Sequence, residues 1–431
     1  MRFRLYFKFF IFAAVLTLSR EAAYAQQPAP DPEQGRQAYL DNCTRCHGPT
    51  GAGDGRDAQR MYPHPRKLSE GVFKFRTTAS GTPPTDEDLY NTISEGLPGS
   101  RMPDFQRLPE DIRWQLVYYV KGLSPAFQDQ KPEPLKFGTD PGPGRANLGK
   151  GKELYTKLGC NACHGNLGRG NGPSAATLVD QWGAHIDPAD LTQGWNYRGG
   201  SAPRDVLVRL MTGIDGTPMP SYAEAVKPEE VWDLAYYVHS LQAQPQWKRE
   251  VEAVKAPGVL PAGLEDKPWE KAPRTDLALT ATFYRGGEIA PSAVRAVSVQ
   301  AMYNESEILF RLSWHDRTES RENVPDAAGL AFLEDPDLRW SAGSLRAWPA
   351  KTGGPQPAVA YWSAASGNAP EGVSPLEAAA RYDEGEWTLL ARRPLQGKKP
   401  AGFGILVWDG GNSEEGRHRS NSSWVKLIFK D

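Results

Sequence analysis

The stretch Cys160-Asn161-Ala162-Cys163-His164 repeats Cys43-Thr44-Arg45-Cys46-His47, and these are the only cysteines in the 431 residues. Cys-x-x-Cys-His is the spacing that attaches c-type haem. Two thiols add across the porphyrin vinyl groups, and the adjacent imidazole reaches the iron from one side. A bare Cys-x-x-Cys also suits a redox dithiol or half of a zinc site. The following histidine and the second copy argue against both, and no cysteine is left for a disulfide. Cys43, Cys46, Cys160 and Cys163 are therefore expected to hold two covalent haems, with His47 and His164 as iron ligands.

The motifs sit in an internal repeat. Cys43 and Cys160 are 117 positions apart, as are Gly48 and Gly165, Gly51 and Gly168, and Gly96 and Gly213. Met102 and Met219 keep the same offset, each is followed by proline, and each stands 55 residues after its motif histidine. In a chain with six methionines, this placement reads as a second iron ligand rather than core filler, and a thioether raises the potential relative to two imidazoles. With His and Met on opposite faces, neither iron keeps an open position for a substrate.

Helices must deliver these residues. One is expected over Glu33 to Asp41, leading to Cys43, and its counterpart over Lys150 to Leu158, leading to Cys160. Thr85 opens a helix to Ser94, closed by Gly96, and Asp205 to Met211 is closed by Gly213. Pro109 to Leu123 and Pro228 to Leu241 are amphipathic helices. The glycine loops after each motif let the backbone approach a haem edge. His64, His185 and His239 are single and read as ordinary surface or core histidines.

Residues 1–25 read as a secretory signal: Arg2, Arg4 and Lys8, the apolar run Phe9 to Leu18, then Ala23-Tyr24-Ala25. A membrane span needs about 20 apolar residues, so a retained anchor is the minor reading. Removing the signal takes the formal charge from −2 to −5, which gives no hint of nucleic acid. The expected divisions are a first haem domain at 26–130, a linker at 131–149, a second haem domain at 150–245 and a linker at 246–266. From 267 to 431 the pattern changes to short alternating runs: Leu277 to Tyr284, Val294 to Tyr303, Ile308 to Trp314, Val359 to Ser363, Trp387 to Arg392, Gly404 to Trp408 and Trp424 to Phe429. These read as strands of an antiparallel β-sandwich. The fold class is thus multidomain, with two all-α haem domains followed by the sandwich.

The haem segments resemble the cytochrome c fold family. Phe73-Lys74-Phe75-Arg76-Thr77-Thr78 and Gly96-Leu97-Pro98-Gly99-Ser100-Arg101-Met102-Pro103 look like one cytochrome group in which two such domains often precede a sandwich. The third segment is similar to the haem-binding γ-subunit of ethylbenzene dehydrogenase and its relatives in dimethylsulfide dehydrogenase, selenate and chlorate reductases and nitrite oxidoreductase. The matching stretches are Val299 to Asp316, Gly385 through Leu395, Val407-Trp408-Asp409-Gly410 and Ser423-Trp424. That resemblance implies a b-type haem between a Met and a Lys. Here the stretch Arg339 to Ala350 carries Leu345 and no Met, and Met302 alternates with Ser298 and Gln300, away from Val297 and Val299. Lys426 is a strand lysine, and His315 and His418 read as surface residues. The sandwich is expected to keep the fold and to bind b-type haem weakly or not at all.

The reading favours a periplasmic, non-enzymatic electron carrier, exported and soluble or peripheral. It would serve redox partner proteins, as a subunit or partner of a molybdenum-type oxidoreductase or a quinol-linked complex. A dihaem enzyme such as a peroxidase would need an open iron position. A third reading makes the sandwich a recognition module for sugar or a partner, with Trp340, Trp348, Trp362 and Trp408 as an aromatic platform; in a Trp-rich sandwich these are more often core.

Overall fold

The computed structural model describes residues 27–61, 63–98, 100–256, 258–281, 284–285, 288–289, 294–333, 358–365, 374–415 and 418–431. The signal segment, Gly99, Trp340, Leu345 and Trp348 lie outside them.

The repeat in the sequence is a repeat in the fold. Helix Pro32–Asn42 starts at Asp31, whose side chain accepts from the Gln34 amide, with proline at the first helical position. It packs across helix Glu110–Gly122, and a Cβ on Gly35 would collide with the Gln115 carbonyl. Helix Leu148–Lys157, capped by Asn147, crosses Pro228–Ser240 in the same way, with Gly151 against the Asp233 carbonyl. Glycine is needed at each crossing because the backbones touch. The short helices Thr44–His47 and Cys160–His164 carry the motifs. Asp86–Glu95, with a reciprocal Thr85/Asp88 capping box, and Pro203–Thr212 complete the two helical sets, which Ala126–Asp129 follows in the first. Each set has its own core, one around Tyr39, Leu116 and Val117, the other around Leu207, Trp232 and Leu234.

The expected linkers are not free. Within 131–149, the Leu135 amide donates to the Thr77 carbonyl, Phe137 is buried in the second core, and the Trp232 indole donates to the Phe137 carbonyl at 2.9 Å. Prolines keep this stretch extended while its apolar residues find a core. Within 246–266, strand Glu250–Lys255 pairs in parallel with Val425–Lys430 on one side and Ala296–Tyr303 on the other. Val251 and Ala253 point inward between outward-facing glutamates, an alternation too short to stand out among the prolines.

Among the described residues, the strands of the C-terminal region join one large sheet, apart from the pair Tyr284–Arg285 and Glu288–Ile289. Ten strands follow one hydrogen-bonded path: Ser374–Pro375, Ala358–Ser363, Ala327–Leu333, Gly402–Trp408, Val425–Lys430, Glu250–Lys255, Ala296–Tyr303, Glu307–His315, Glu386–Pro394 and Glu377–Asp383. The strands at its two ends are separated in the chain only by Leu376, so the sheet curls into a nearly closed barrel. Most pairs are antiparallel, but Glu250–Lys255 has two parallel neighbours. Thr275–Ala278 is bound to Ala296–Tyr303, and the expected run Leu277 to Tyr284 is broken into short pieces.

Aromatic rings meet across the interior. Trp387 lies 6.4 Å from Trp314 and 5.2 Å from Trp362, and Phe310 lies 5.1 Å from Phe403, centre to centre. Trp362, half-buried, packs against this interior. Met302 is on the opposite face, packed with Leu309, Leu390 and Trp269 beneath the segment that follows Glu250–Lys255. Lys426 pairs with Glu250 at the surface. Among the described residues no helix is long and apolar enough to cross a membrane.

Candidate functional site

In both repeats the motif histidine is pinned by a backbone carbonyl. His47 Nδ1 lies 2.9 Å from the Arg66 oxygen, and His164 Nδ1 lies 2.9 Å from the Ala189 oxygen. Donation through Nδ1–H leaves Nε2 as the ring's electron-pair donor. Burial lowers the pKa of both rings, favouring the neutral form a metal ligand requires. The same backbone bonds recur around them. Gly53 N donates to His47 O and Gly170 N to His164 O; Tyr39 OH donates to Gly48 O and Tyr155 OH to Gly165 O. Gly48 and Gly165 end the motif helices at φ of 74° and 77°, a conformation that favours glycine.

The second repeat opens onto a cavity of about 360 Å³ whose walls include Cys160, Cys163, His164 and Met219. The structure thus brings together the expected set: two thiols, an imidazole and a thioether. Tyr222 hydrogen-bonds the Cys160 thiol, and burial pushes that thiol up to about 11. In the first repeat, Cys43 and Met102 pack on one apolar cluster, and burial pushes the Cys43 thiol up to about 12. Both methionines sit in matching loops, with Leu97 N donating to Met102 O and Ile214 N to Met219 O.

The cavity walls also hold residues the motifs did not point to. Arg66 enters from the first repeat, Arg198 and Arg209 from the second, and Arg295 and Arg317 from the sheet region. Arg66 Nη1 is buried without a hydrogen-bond partner, and burial lowers the guanidinium pKa to about 10. Its planar group lies 4.6 Å from the Trp182 ring centre. Scattered arginines are ordinary in a sequence; only the fold gathers these. His64 and His185 line the same cavity, beside the Ala58 carbonyl and Asp187 respectively, and His239 approaches the Ser201 carbonyl.

The three regions dock through polar contacts. Buried Arg76 pairs with Asp215 at 2.8 Å and donates to the Thr212 carbonyl, joining the two helical sets. His315, expected at the surface, is instead clamped between Asp190 of the second repeat and Glu386 of the sheet, at 2.6 and 3.3 Å. Arg169 donates to the Asp383 and Glu384 carbonyls and pairs with Glu386. His418, also expected outside, is buried in the barrel region, with 7% of its surface exposed. A histidine's burial depends on contacts distant in sequence, so neither position was legible locally.

Residues 148–242 match the family model described as cytochrome c, and residues 30–120 match that of cytochrome C oxidase, cbb3-type, subunit III. The cbb3-type cytochrome c oxidase subunit CcoP of Azospirillum sp. (strain B510) is 27% identical over 220 residues, 48% of this chain and 61% of the relative. The chain thus spans about three fifths of the length of that relative. Chlorate reductase subunit gamma of Ideonella dechloratans is 26% identical over 215 residues, 43% of this chain and 87% of the relative. A chain of the Kuenenia stuttgartiensis reducing HAO-like protein complex is 43% identical, with 51% of this chain and 100% of that chain covered and a TM-score of 0.48. The chain therefore carries two cytochrome c domains, a class defined by covalently bound haem c, followed by a mostly-β, nearly closed barrel-like region. It is related to cytochrome c electron-carrier subunits of oxidase and reductase complexes.

Proposed function

We propose that the protein is a periplasmic dihaem electron carrier that serves redox partner proteins and has no substrate of its own. The carrying observation is the duplicated constellation in which each motif histidine is held by a carbonyl at 2.9 Å. In this reading Cys43 and Cys46 would bind one haem and Cys160 and Cys163 the other, with His47 and Met102, and His164 and Met219, as the iron ligands. The residues fit the group. The thiols, the neutral imidazole and the thioether line one cavity in the second repeat, and the partnerless Arg66 nitrogen supplies a cation for an anionic porphyrin side chain. Haem c, when bound, supplies a one-electron iron couple. The chain's own part is to hold the imidazoles in one tautomer, exclude water with Tyr155 and Leu210, and set the charge around the cavity.

The barrel then serves as a docking module that presents the second domain to a partner through His315, Arg169 and Arg317. Its resemblance to the ethylbenzene dehydrogenase γ-subunit favours assembly with a larger oxidoreductase. A b-type haem between Met and Lys is not part of this proposal, because Met302 packs on the face opposite the Trp314–Trp387 interior.

Met219→Ala is the direct test. Loss of the thioether should abolish the weak near-infrared band of one Met-ligated ferric haem, turn that haem high-spin and lower its potential, leaving the other unchanged. An unaltered spectrum and potential would remove Met219 from the assignment. Wild-type turnover of peroxide at about 10 per second or faster would favour an enzyme instead.

Arg66 gives a second expected result. A buried cation favours the less positive, reduced iron. Arg66→Gln should therefore lower the potential of the second haem more than the first, while two covalent haems remain. Titration of both potentials measures this, and an equal or absent shift would place Arg66 outside the second site.

A further inference from the structure

Three carboxylates from separate parts of the barrel converge at one end. Asp316 follows strand Glu307–His315, Asp326 precedes Ala327–Leu333, and Asp409 follows Gly402–Trp408. One oxygen from each lies within 4.8 Å of the others, and the three residues are 3%, 0% and 5% exposed. Asp326 is well satisfied, accepting from Ser320 N, Gly410 N and the Trp387 indole. Asp409 accepts from Asn412 N. Asp316 is different. Its Oδ1 takes only a 3.2 Å bond from Thr318 N, and its Oδ2 is buried with no partner.

A buried carboxylate oxygen without a hydrogen bond is costly, and two like charges beside it raise the cost. Burial pushes all three carboxyls above their ordinary range; the charges of Asp409 and Asp326 add to it at Asp316, and that of Asp326 adds to it at Asp409, which rises to about 6. Arg317 is the cation that pulls Asp409 back, but its guanidinium is also paired with Asp187 at 2.8 Å. A cation among the three would turn the repulsion into coordination.

We infer that Asp316, Asp326 and Asp409 form a binding site for one divalent cation, with calcium as its ion. The donors named are all hard oxygens, which disfavours zinc and copper. Ligand type separates the alkaline earths. Calcium takes irregular shells of protein oxygens, whereas magnesium keeps several waters and is held by one or two carboxylates, so three buried protein carboxylates suit calcium. An entry route exists, because Asp316 and Asp409 also line the cavity of the second repeat. The ion would fix the end of strand Glu307–His315 and the Arg317 that follows it, and so the two residues that grip Asp190 and Asp187 of the cytochrome domain.

The test uses the complete haem-loaded protein, stripped with chelator and titrated with calcium chloride alone. One ion per chain should bind saturably, raise the melting temperature, and bind at least 100-fold more tightly than magnesium. Asp316→Asn should keep the Thr318 contact, fold with an unchanged haem spectrum, and weaken calcium binding at least 100-fold. Asp409→Asn should do the same, covering the case in which the first variant fails to fold. Absence of saturable binding by wild type at millimolar calcium would overturn the site and leave a shared proton as the cluster's occupant. Unchanged affinity in both variants would overturn it equally, placing the ion elsewhere.

Discussion

Replacing Cys160 and Cys163 together by alanine should yield a chain carrying one covalent haem instead of two. The two thiols stand on the short helix Cys160–His164, and both line the cavity of the second repeat. No other cysteine can substitute, since Cys43 and Cys46 belong to the first repeat and the chain has no fifth. His164 and Met219 would remain, so haem could still visit the cavity reversibly. The decisive readout is therefore intact mass under denaturing conditions, with the pyridine haemochrome spectrum as a count of c-type haem. Mass should fall by one haem, and the haemochrome should halve. The first domain should keep its low-spin spectrum, because its core around Tyr39 and Leu116 is separate from that around Leu207 and Trp232. Stability should fall as well, since the walls built by Val206, Leu210 and Val238 would face an empty space. Two haems retained in the double variant would end the assignment of these cysteines.

Much of this was legible because the chemistry is local. Cys-x-x-Cys-His, the glycine run and Met-Pro recur at a fixed offset, and the structure repeats their backbone bonds almost one for one. Thr85 and the glycines at helix ends act on the nearest turn, so their positions could be read directly. The six-residue difference between the two loops is informative too. His47 reaches Arg66 and His164 reaches Ala189, so the carbonyl is preserved while the side chain is free to differ. That freedom put a guanidinium at one position and alanine at the other. What could not be read were contacts made by closure of the sheet. Strand Glu250–Lys255 looked like linker because its two inward residues are too few for a pattern, yet it holds two neighbours together. Asp316, Asp326 and Asp409 are 93 residues apart at the widest, with no spacing that suggests a cluster. The strand alternation was right, but a sandwich and a curled barrel share it. The choice between them rests on which strands end up at the edges.

The second large effect is expected at His315, as a loss of stability in alkali. The ring lies between Asp190 and Glu386, with Nδ1 2.6 Å from one carboxylate and Nε2 3.3 Å from the other. Burial opposes the charged ring, but the hydrogen bonds and charges of the two carboxylates outweigh it, and the pKa is raised from 6.5 to about 9. The same contacts hold both carboxyl groups below their ordinary values, against burial. A base whose pKa is raised on folding contributes stability that is complete below its unfolded value and is lost as pH rises through its folded value. The window therefore runs from about pH 6.5 to just above pH 9. A shift of this size corresponds to about 3 kcal/mol at most, somewhat less after solvent screening at the partly exposed ring. In haem-loaded protein at constant calcium, the melting temperature of the barrel and second domain should fall by several degrees between pH 7 and pH 10. His315→Gln should start lower at pH 7, because Asp190 and Glu386 then face each other and Arg169 without the second cation, and should lose little more on going to pH 10. Parallel pH profiles for wild type and variant would show that the clamp carries no charge in solution. A steeper profile in the variant would reverse the sign of the argument, leaving Arg169 and Arg317 as the contacts that hold the barrel to the cytochrome domain.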